Sequence, residues 1–127
     1  MQAGENLIPL GRLKKRAEFL RVREGRVWRS PSLVLQARRR ADGSSLSSEI
    51  TRFGFTATKR LGNAVIRNRA RRRLKETVRL VAQTHARHGF DYVVIARNGA
   101  LTQPFEHIQK EMRQALEGVH REKPARS

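Results

Sequence analysis

Arg52-Phe53-Gly54-Phe55-Thr56-Ala57-Thr58-Lys59-Arg60-Leu61-Gly62-Asn63-Ala64-Val65-Ile66-Arg67-Asn68-Arg69-Ala70-Arg71-Arg72-Arg73 changes its period partway along. Up to Thr58, apolar and polar residues alternate. Phe53, Phe55 and Ala57 point one way and Arg52, Gly54, Thr56 and Thr58 the other, the pattern of a half-buried strand. Lys59 to Asn63 reads as a turn, with Gly62 free to take a backbone angle closed to other residues. From about Ala64 to His85 the spacing turns helical, and Ala70, Leu74, Thr77, Val78 and Val81 form a stripe to bury.

Towards the N-terminus, Ser32 to Ala37 predicts a strand with Leu33, Leu35 and Ala37 on one face, and Arg26 to Arg29 a short strand broken off by Pro31. Leu13 to Glu24 predicts a helix with an apolar stripe of Leu13, Ala17 and Leu20, widened by Phe19 and Val22 and stopped at Gly25. Arg38 to Glu49 holds three arginines, Asp42-Gly43 and four serines, and reads as a loop. Towards the C-terminus, Asp91 to Ala96 is an almost continuous apolar strand of the kind found inside a sheet. Asn98-Gly99 makes a turn, and Pro104 opens a last helix carrying Phe105, Ile108, Met112, Ala115, Leu116 and Val119 at helical spacing. The order is αβββαβα-like. It predicts the α+β class, a two-layer α/β sandwich with one small mixed sheet. The expected organisation is a flexible leader over residues 1–11, a single RNA-binding α+β domain over 12–119, and a flexible basic tail over 120–127.

Composition narrows the partner. Among 127 residues, 28 Lys plus Arg face 11 Asp plus Glu, a formal charge of +17. Self-repulsion of that size opposes folding, and a polyanion is its usual counterpart. A membrane surface is the rival, but there is neither an amphipathic helix with large exposed apolar residues nor a lipid anchor. The longest apolar run, Tyr92 to Ala96, is five residues, far short of a membrane span. Met1 to Ile8 lacks the basic and then apolar build of a secretory signal, so a cytoplasmic protein without membrane partner is expected. With no cysteine in the chain, disulfides, thiol catalysis and cysteine-ligated zinc are excluded.

The charge concentrates on the long helix and its turn. Lys59 to Arg79 contains nine basic residues and one acidic residue, Glu76. Most charge runs are solvated faces. Here, however, Arg67 with Arg71, Arg69 with Arg73, Arg71 with Lys75 and Lys75 with Arg79 are like-charged pairs four residues apart, each costing roughly 0.2–0.5 kcal/mol. A solvated face would mix in Glu; tolerated repulsion points to nucleic acid. Arginine's planar fork fits phosphate oxygens and stacks on bases. Free N–H groups around Asn63 to Ile66 add donors at the positive end of the helix. The cations are expected on the face opposite Leu74 and Val78.

The quoted segment closely resembles the bacterial ribonuclease P protein component. The likeness rests on the strand with Gly54, the Lys59-Arg60 pair, the Gly62-Asn63-Ala64-Val65 turn and the Arg67-Asn68-Arg69 start of the helix. The flanks agree in order: Glu18-Phe19 in a helix, a strand at Leu33 to Gln36, and Asp91-Tyr92-Val93-Val94-Ile95-Ala96-Arg97. The resemblance spans about Leu13 to Leu116. It implies a small sandwich with a left-handed βαβ crossover. The implied partners are a catalytic RNA and precursor tRNA, whose 5′ leader the assembly removes; no protein partner is required. Arg67, Asn68, Arg69, Arg71, Arg72 and Arg73 would sit against the catalytic RNA, with Lys59 and Arg60 at the mouth of that surface. The leader would lie in a cleft between the first helix and the open sheet face, where Phe19, Gln36, Thr56 and Thr58 occupy matching positions. Gln36 and Arg23 stand where relatives carry further aromatics, which reduces the stacking platform to Phe19. Independently, the small Gly54, Thr56 and Thr58 are expected to leave room for unpaired RNA, which aromatics commonly grip by stacking.

A protein phosphodiesterase needs carboxylates clustered for metal, or paired histidines. Here the acidic residues are scattered. Glu106, Glu111 and Glu117 share a helix without converging, and His85 and His88 have no carboxylate nearby in sequence. No catalytic residue and no protein-bound metal is therefore expected; Mg²⁺ would serve the assembled ribonucleoprotein. Two other readings stay open: a structural RNA binder of ribosomal type, and a helical DNA-binding module.

Overall fold

The computed structural model describes residues 10–41 and 50–121. Five strands form one mixed sheet: β1 (Leu10–Arg12), β2 (Arg26–Arg29), β3 (Leu33–Arg39), β4 (Thr51–Thr56) and β5 (Phe90–Ala96), in the order β1-β4-β5-β3-β2. β1 runs parallel to β4 and β4 parallel to β5, while β3 is antiparallel to both β5 and β2. The helices are α1 (Arg16–Arg23), α2 (Ala64–His85), the single turn α3 (Gly99–Thr102) and α4 (Phe105–His120). The fold is the α+β sandwich the sequence predicts.

Alternation sorts the strand residues onto two faces. Leu33, Leu35 and Ala37 of β3, Phe53 of β4, and Tyr92, Val94 and Ala96 of β5 are buried in one core with Ala70, Leu74, Val78, Val81 and Ala82 of α2 and Ile108, Met112, Ala115, Leu116 and Val119 of α4. The expected stripe of α2 is buried in full, including Thr77, whose hydroxyl donates to the Arg73 carbonyl at 2.8 Å. Val93 faces the other way and makes a smaller buried cluster with Leu13 and Val22 beneath α1, with the partly buried Phe19 and Ile95 at its edge. β5 is central and packed on both faces, which is why its sequence runs apolar without alternation.

Several boundaries differ from expectation. Leu10 and Gly11, taken as leader, belong to β1, because Leu10, Gly11 and Arg12 pair in register with Thr51, Arg52 and Phe53. Arg38 and Arg39, taken as loop, extend β3 opposite Asp91 and Phe90, and Arg40 is buried against Asp91. The rest of that expected loop lies largely outside the described residues. The first helix is two turns long, and Ala17 and Leu20 are exposed. Its inward side is partly ionic, through Glu18 and Arg21, so Phe19 and Val22 alone carry the apolar contact. The Asn98-Gly99 turn is the entry to α3, whose Ala100 is fully buried. His120, taken as the start of a tail, closes α4: its ring meets Phe90 edge-on at 4.5 Å and its Nε2 bonds the Tyr92 hydroxyl. With β1 and α3 added, the order is βαβββαβαα.

Candidate nucleic-acid interface

α2 starts where the sequence places it. Asn63 caps the helix, its Oδ1 accepting the Ile66 N–H at 3.0 Å. Just before it, Gly62 takes φ +156°, and a side chain there would strike Ile66 at 2.8 Å. The arginines that follow divide by helical position. Asn68, Arg69 and Arg72 are exposed, as are Lys59 and Arg60 on the preceding turn. Arg71 is half-buried and donates to the Asn68 amide oxygen.

Arg67 and Arg73 depart from the expected strip. Arg67 lies three and seven residues before Ala70 and Leu74, on the buried side, and its Nε is buried with no hydrogen-bond partner. Arg73 turns into the molecule: Nη1 donates to the Ala100 carbonyl at 2.8 Å and Nη2 to the Gln103 carbonyl at 3.0 Å, satisfying the end of α3. The outward cationic face is therefore Arg69 and Arg72 with Asn68. Lys75 continues it towards β1, its ammonium 5.9 Å over the Phe55 ring. Partial burial, then the charges of Arg12 and Arg71, push the Lys75 ammonium below its ordinary value.

The face of the sheet away from α2 is organised in rows set by strand register. Arg52, Asp91 and Arg38 form one row, Gly54, Val93, Gln36 and Val27 the next, and Thr56, Ile95, Val34 and Arg29 a third. α1 covers the first two. A Cβ on Gly54 would lie 2.5 Å from Phe19 Cε2, so the ring fills the space that Gly54 was expected to leave for RNA. Gln36 is only 8% exposed, which also removes it from a cleft surface. What stays uncovered by α1 is the third row, where Thr56, Ile95 and Val34 are half-buried and Arg29 is exposed. Phe19 borders the row from α1, and Thr58 is exposed beyond the strand end, at the cap of the Lys59–Leu61 turn. Val34, Ile95, Arg29 and the exposed Arg97, which share this end of the sheet, are not singled out by the sequence pattern. Alternation within β3 could have found Val34; the row itself needs the pairing register.

An ionic bracket holds α1 over the first row. Asp91, 1% exposed, accepts from Arg40 Nη1 at 2.8 Å, Arg52 Nε at 2.9 Å and Arg52 Nη2 at 2.7 Å. Arg52 also donates to Glu18 of α1 at 2.8 Å, and Arg21 of α1 stands 3.9 Å from Asp91. Hydrogen bonding to Asp91 holds the Arg52 guanidinium above its ordinary value. The backbone N–H of Lys15, joined by those of Lys14 and the Arg52 guanidinium, holds the Glu18 carboxyl below the usual carboxylate range.

Two further carboxylates stand close to imidazoles. Glu111 is buried, accepting from Ser32 N–H at 3.0 Å and facing His107 at 3.3 Å. His85, with no carboxylate nearby in sequence, has Glu117 at 3.2 Å from α4. Among the described residues no three such side chains gather as cation ligands, and none of the helices there is long and apolar enough to cross a membrane.

Fold and site define a class first: a small α+β protein with an arginine-rich helix at one end of a partly uncovered sheet. The family described as Ribonuclease P matches residues 9–120. The ribonuclease P protein component of Paramagnetospirillum magneticum is 49% identical over 111 residues, 87% of this chain and 83% of that protein. That of Gluconacetobacter diazotrophicus is 49% identical over 106 residues, 83% and 87% of the two chains. Among solved structures, the Staphylococcus aureus RNase P protein superposes with a TM-score of 0.67 at 27% identity, covering 86% of this chain and 94% of that one. The Thermotoga maritima protein gives 0.64 at 25%, covering 81% and 92%. The chain belongs to the ribonuclease P protein family.

Proposed function

We propose that this chain is the protein subunit of a ribonuclease P that grips the catalytic RNA along the outer face of α2 and holds the 5′ leader of precursor tRNA on the uncovered row of the sheet. The observation that carries the reading is that both surfaces lie at one end of the molecule. β4 ends at Thr56 and leads through Thr58, Lys59 and Arg60 straight into α2. RNA held by Arg69, Arg72 and Asn68 is therefore close to RNA lying over Thr56, Ile95 and Val34. Lys59 and Arg60 lie between them, and Arg29 and Arg97 lie at the same end of the sheet on β2 and just past β5. Arg71 orients Asn68, Arg73 ties α2 to α3, and Arg67 offers a buried Nε donor that a phosphate oxygen would satisfy. On the leader side, Thr56 and Thr58 supply hydroxyls and Phe19 a ring edge, while Gln36 acts from beneath as support.

In this reading the chemistry of bond cleavage belongs to the RNA and its Mg²⁺. Among the described residues the two buried carboxylates do not fit a metal site of the protein's own: Asp91 is saturated by arginines and Glu111 by Ser32 and His107. The protein's part is to align the leader and to offset phosphate repulsion, which matters most when Mg²⁺ is scarce.

Two measurements test this. Precursor-tRNA cleavage at low Mg²⁺ is compared for the protein, a bacterial ribonuclease P RNA, and the mixture; activity far above RNA alone is expected only in the mixture. A mixture no better than RNA alone would return the protein to the structural, ribosomal type of RNA binder, and activity of the protein alone would place catalysis in it. Replacing Arg69 and Arg72 by Ala should weaken assembly and lower the slope of log affinity against log salt by about 2, since each lost phosphate contact removes about 0.7–0.9. An unchanged slope with an intact fold would remove the outer face of α2 from the interface.

A further inference from the structure

A second concentration of cations lies at the opposite pole, past the C-terminus of α2. A cavity of about 510 Å³ is lined by Arg26, Arg38, Arg39 and Arg87, with His120 among them and Glu24 as the one carboxylate. Four guanidinium groups against one carboxylate leave +3 (4 − 1) around a single concavity. Two of the four are fixed in place. Arg26 Nη1 donates to the carbonyls of Val119 at 3.1 Å and Arg121 at 2.7 Å, closing the end of α4. Arg38 Nη1 donates to the Arg21 carbonyl at 3.0 Å and meets Glu24 at 3.5 Å. The side chains of Arg39 and Arg87 are exposed and make no hydrogen bond or ion pair among the described residues.

We propose that this pole is a second phosphate-binding site, taking the phosphodiester backbone of an RNA segment distinct from the one held along α2. Arg39 and Arg87 meet the phosphates, and Arg26 and Arg38 form the fixed positive frame behind them. Guanidinium groups are the side chains best matched to phosphate oxygens, because two parallel N–H bonds can be made at once. The cavity has room for a phosphate with its sugar, being within the size range of small-ligand sites. Its positive field reaches the imidazole inside: burial first, then Arg87 and Arg26, hold His120 down at about 4, so at neutral pH it is an uncharged wall. The site is remote from the first. α2 has 22 residues, so Arg87 and the start of the helix are separated by roughly 30 Å at 1.5 Å per residue. RNA engaging both poles must be folded or supply two segments. This inference stands on the cavity and does not depend on the α2 reading.

The test uses the full chain, a short RNA duplex and, separately, inorganic phosphate, with the His120 ring proton signal in NMR as a local reporter and anisotropy for affinity. The duplex should shift the His120 signal in the wild-type protein. In Arg39→Gln/Arg87→Gln that shift should be lost, and the salt slope of duplex binding should fall by up to about 2. Arg69→Gln/Arg72→Gln should weaken overall binding and keep the His120 shift, so failure of the α2 reading is visible separately. Circular dichroism of both variants checks that they fold. A His120 signal unmoved by RNA, or moved equally in the Arg39/Arg87 variant, overturns the proposal. Movement by inorganic phosphate alone would make the cavity a small-anion site and overturn its assignment to RNA.

Discussion

At Gly54 a single carbon decides how α1 lies on the sheet. Its missing Cβ is replaced by the edge of the Phe19 ring, and Val93, its partner in register, completes the seat. A side chain there must push Phe19 away from the sheet. Gly54→Val should cost about 1–3 kcal/mol by overpacking, read from urea unfolding, and should weaken leader binding more than binding of the catalytic RNA. Equal weakening of both would separate Phe19 from the leader surface. The small residue at 54 was legible in the sequence, and so was Phe19 on the helix. That one occupies the space of the other was not, because residue size says where room exists and not what fills it. The same gap explains Arg73. Its charge placed it with Arg69 and Arg72, but the Ala100 and Gln103 carbonyls that claim its donors come from a turn nearly thirty residues on.

Elements with strong periodicity are legible in the sequence. α2 begins and ends where its caps and stripe put it, and the apolar run at residues 91–96 is the interior strand β5. β1 escaped because its three residues have no period of their own and exist only through pairing with β4. α4 illustrates how an element end can matter energetically. Tyr92 accepts the Arg87 N–H at 2.9 Å and bonds His120 Nε2, an arrangement that suits a neutral imidazole accepting the phenol proton. The folded protein holds the His120 imidazole down at about 4, against 6.5 ordinarily, with Arg87 and Arg26 the cations facing it. Below pH 6.5 the unfolded chain therefore binds a proton that the folded one refuses. Stability from this group is full above pH 6.5 and is lost as pH falls towards 4. His120→Gln, which keeps a polar side chain without titrating, should flatten the dependence of the unfolding midpoint on pH across that window. The same slope in both proteins would show that the imidazole leaves its seat freely.

For the molecule as a whole, the formal charge of +17 is the dominant condition. Among the described residues, carboxylates such as Asp91 are spent on buried pairs with Arg40 and Arg52, and the excess of Lys and Arg leaves the outward charge mostly positive and mutually repulsive. Screening should relieve it. With a Debye length near 10 Å at 0.1 M salt, the melting temperature should rise between low and moderate sodium chloride, followed by calorimetry; a midpoint indifferent to salt would mean that the cations are internally balanced. The strand order has a different kind of consequence. β5 lies between β4 and β3, yet it is the last strand in the chain. As a nascent polypeptide leaves the ribosome N-terminus first, only the β2–β3 hairpin and the short β1–β4 pair can form, and isolated pairs of strands are marginal in water. Synthesis must pass Ala96 before the two halves have anything to join on. A message truncated ahead of Phe90 would release a finished arginine-rich segment with no domain to present it: a sticky cationic peptide, and a natural target for proteolytic clearance.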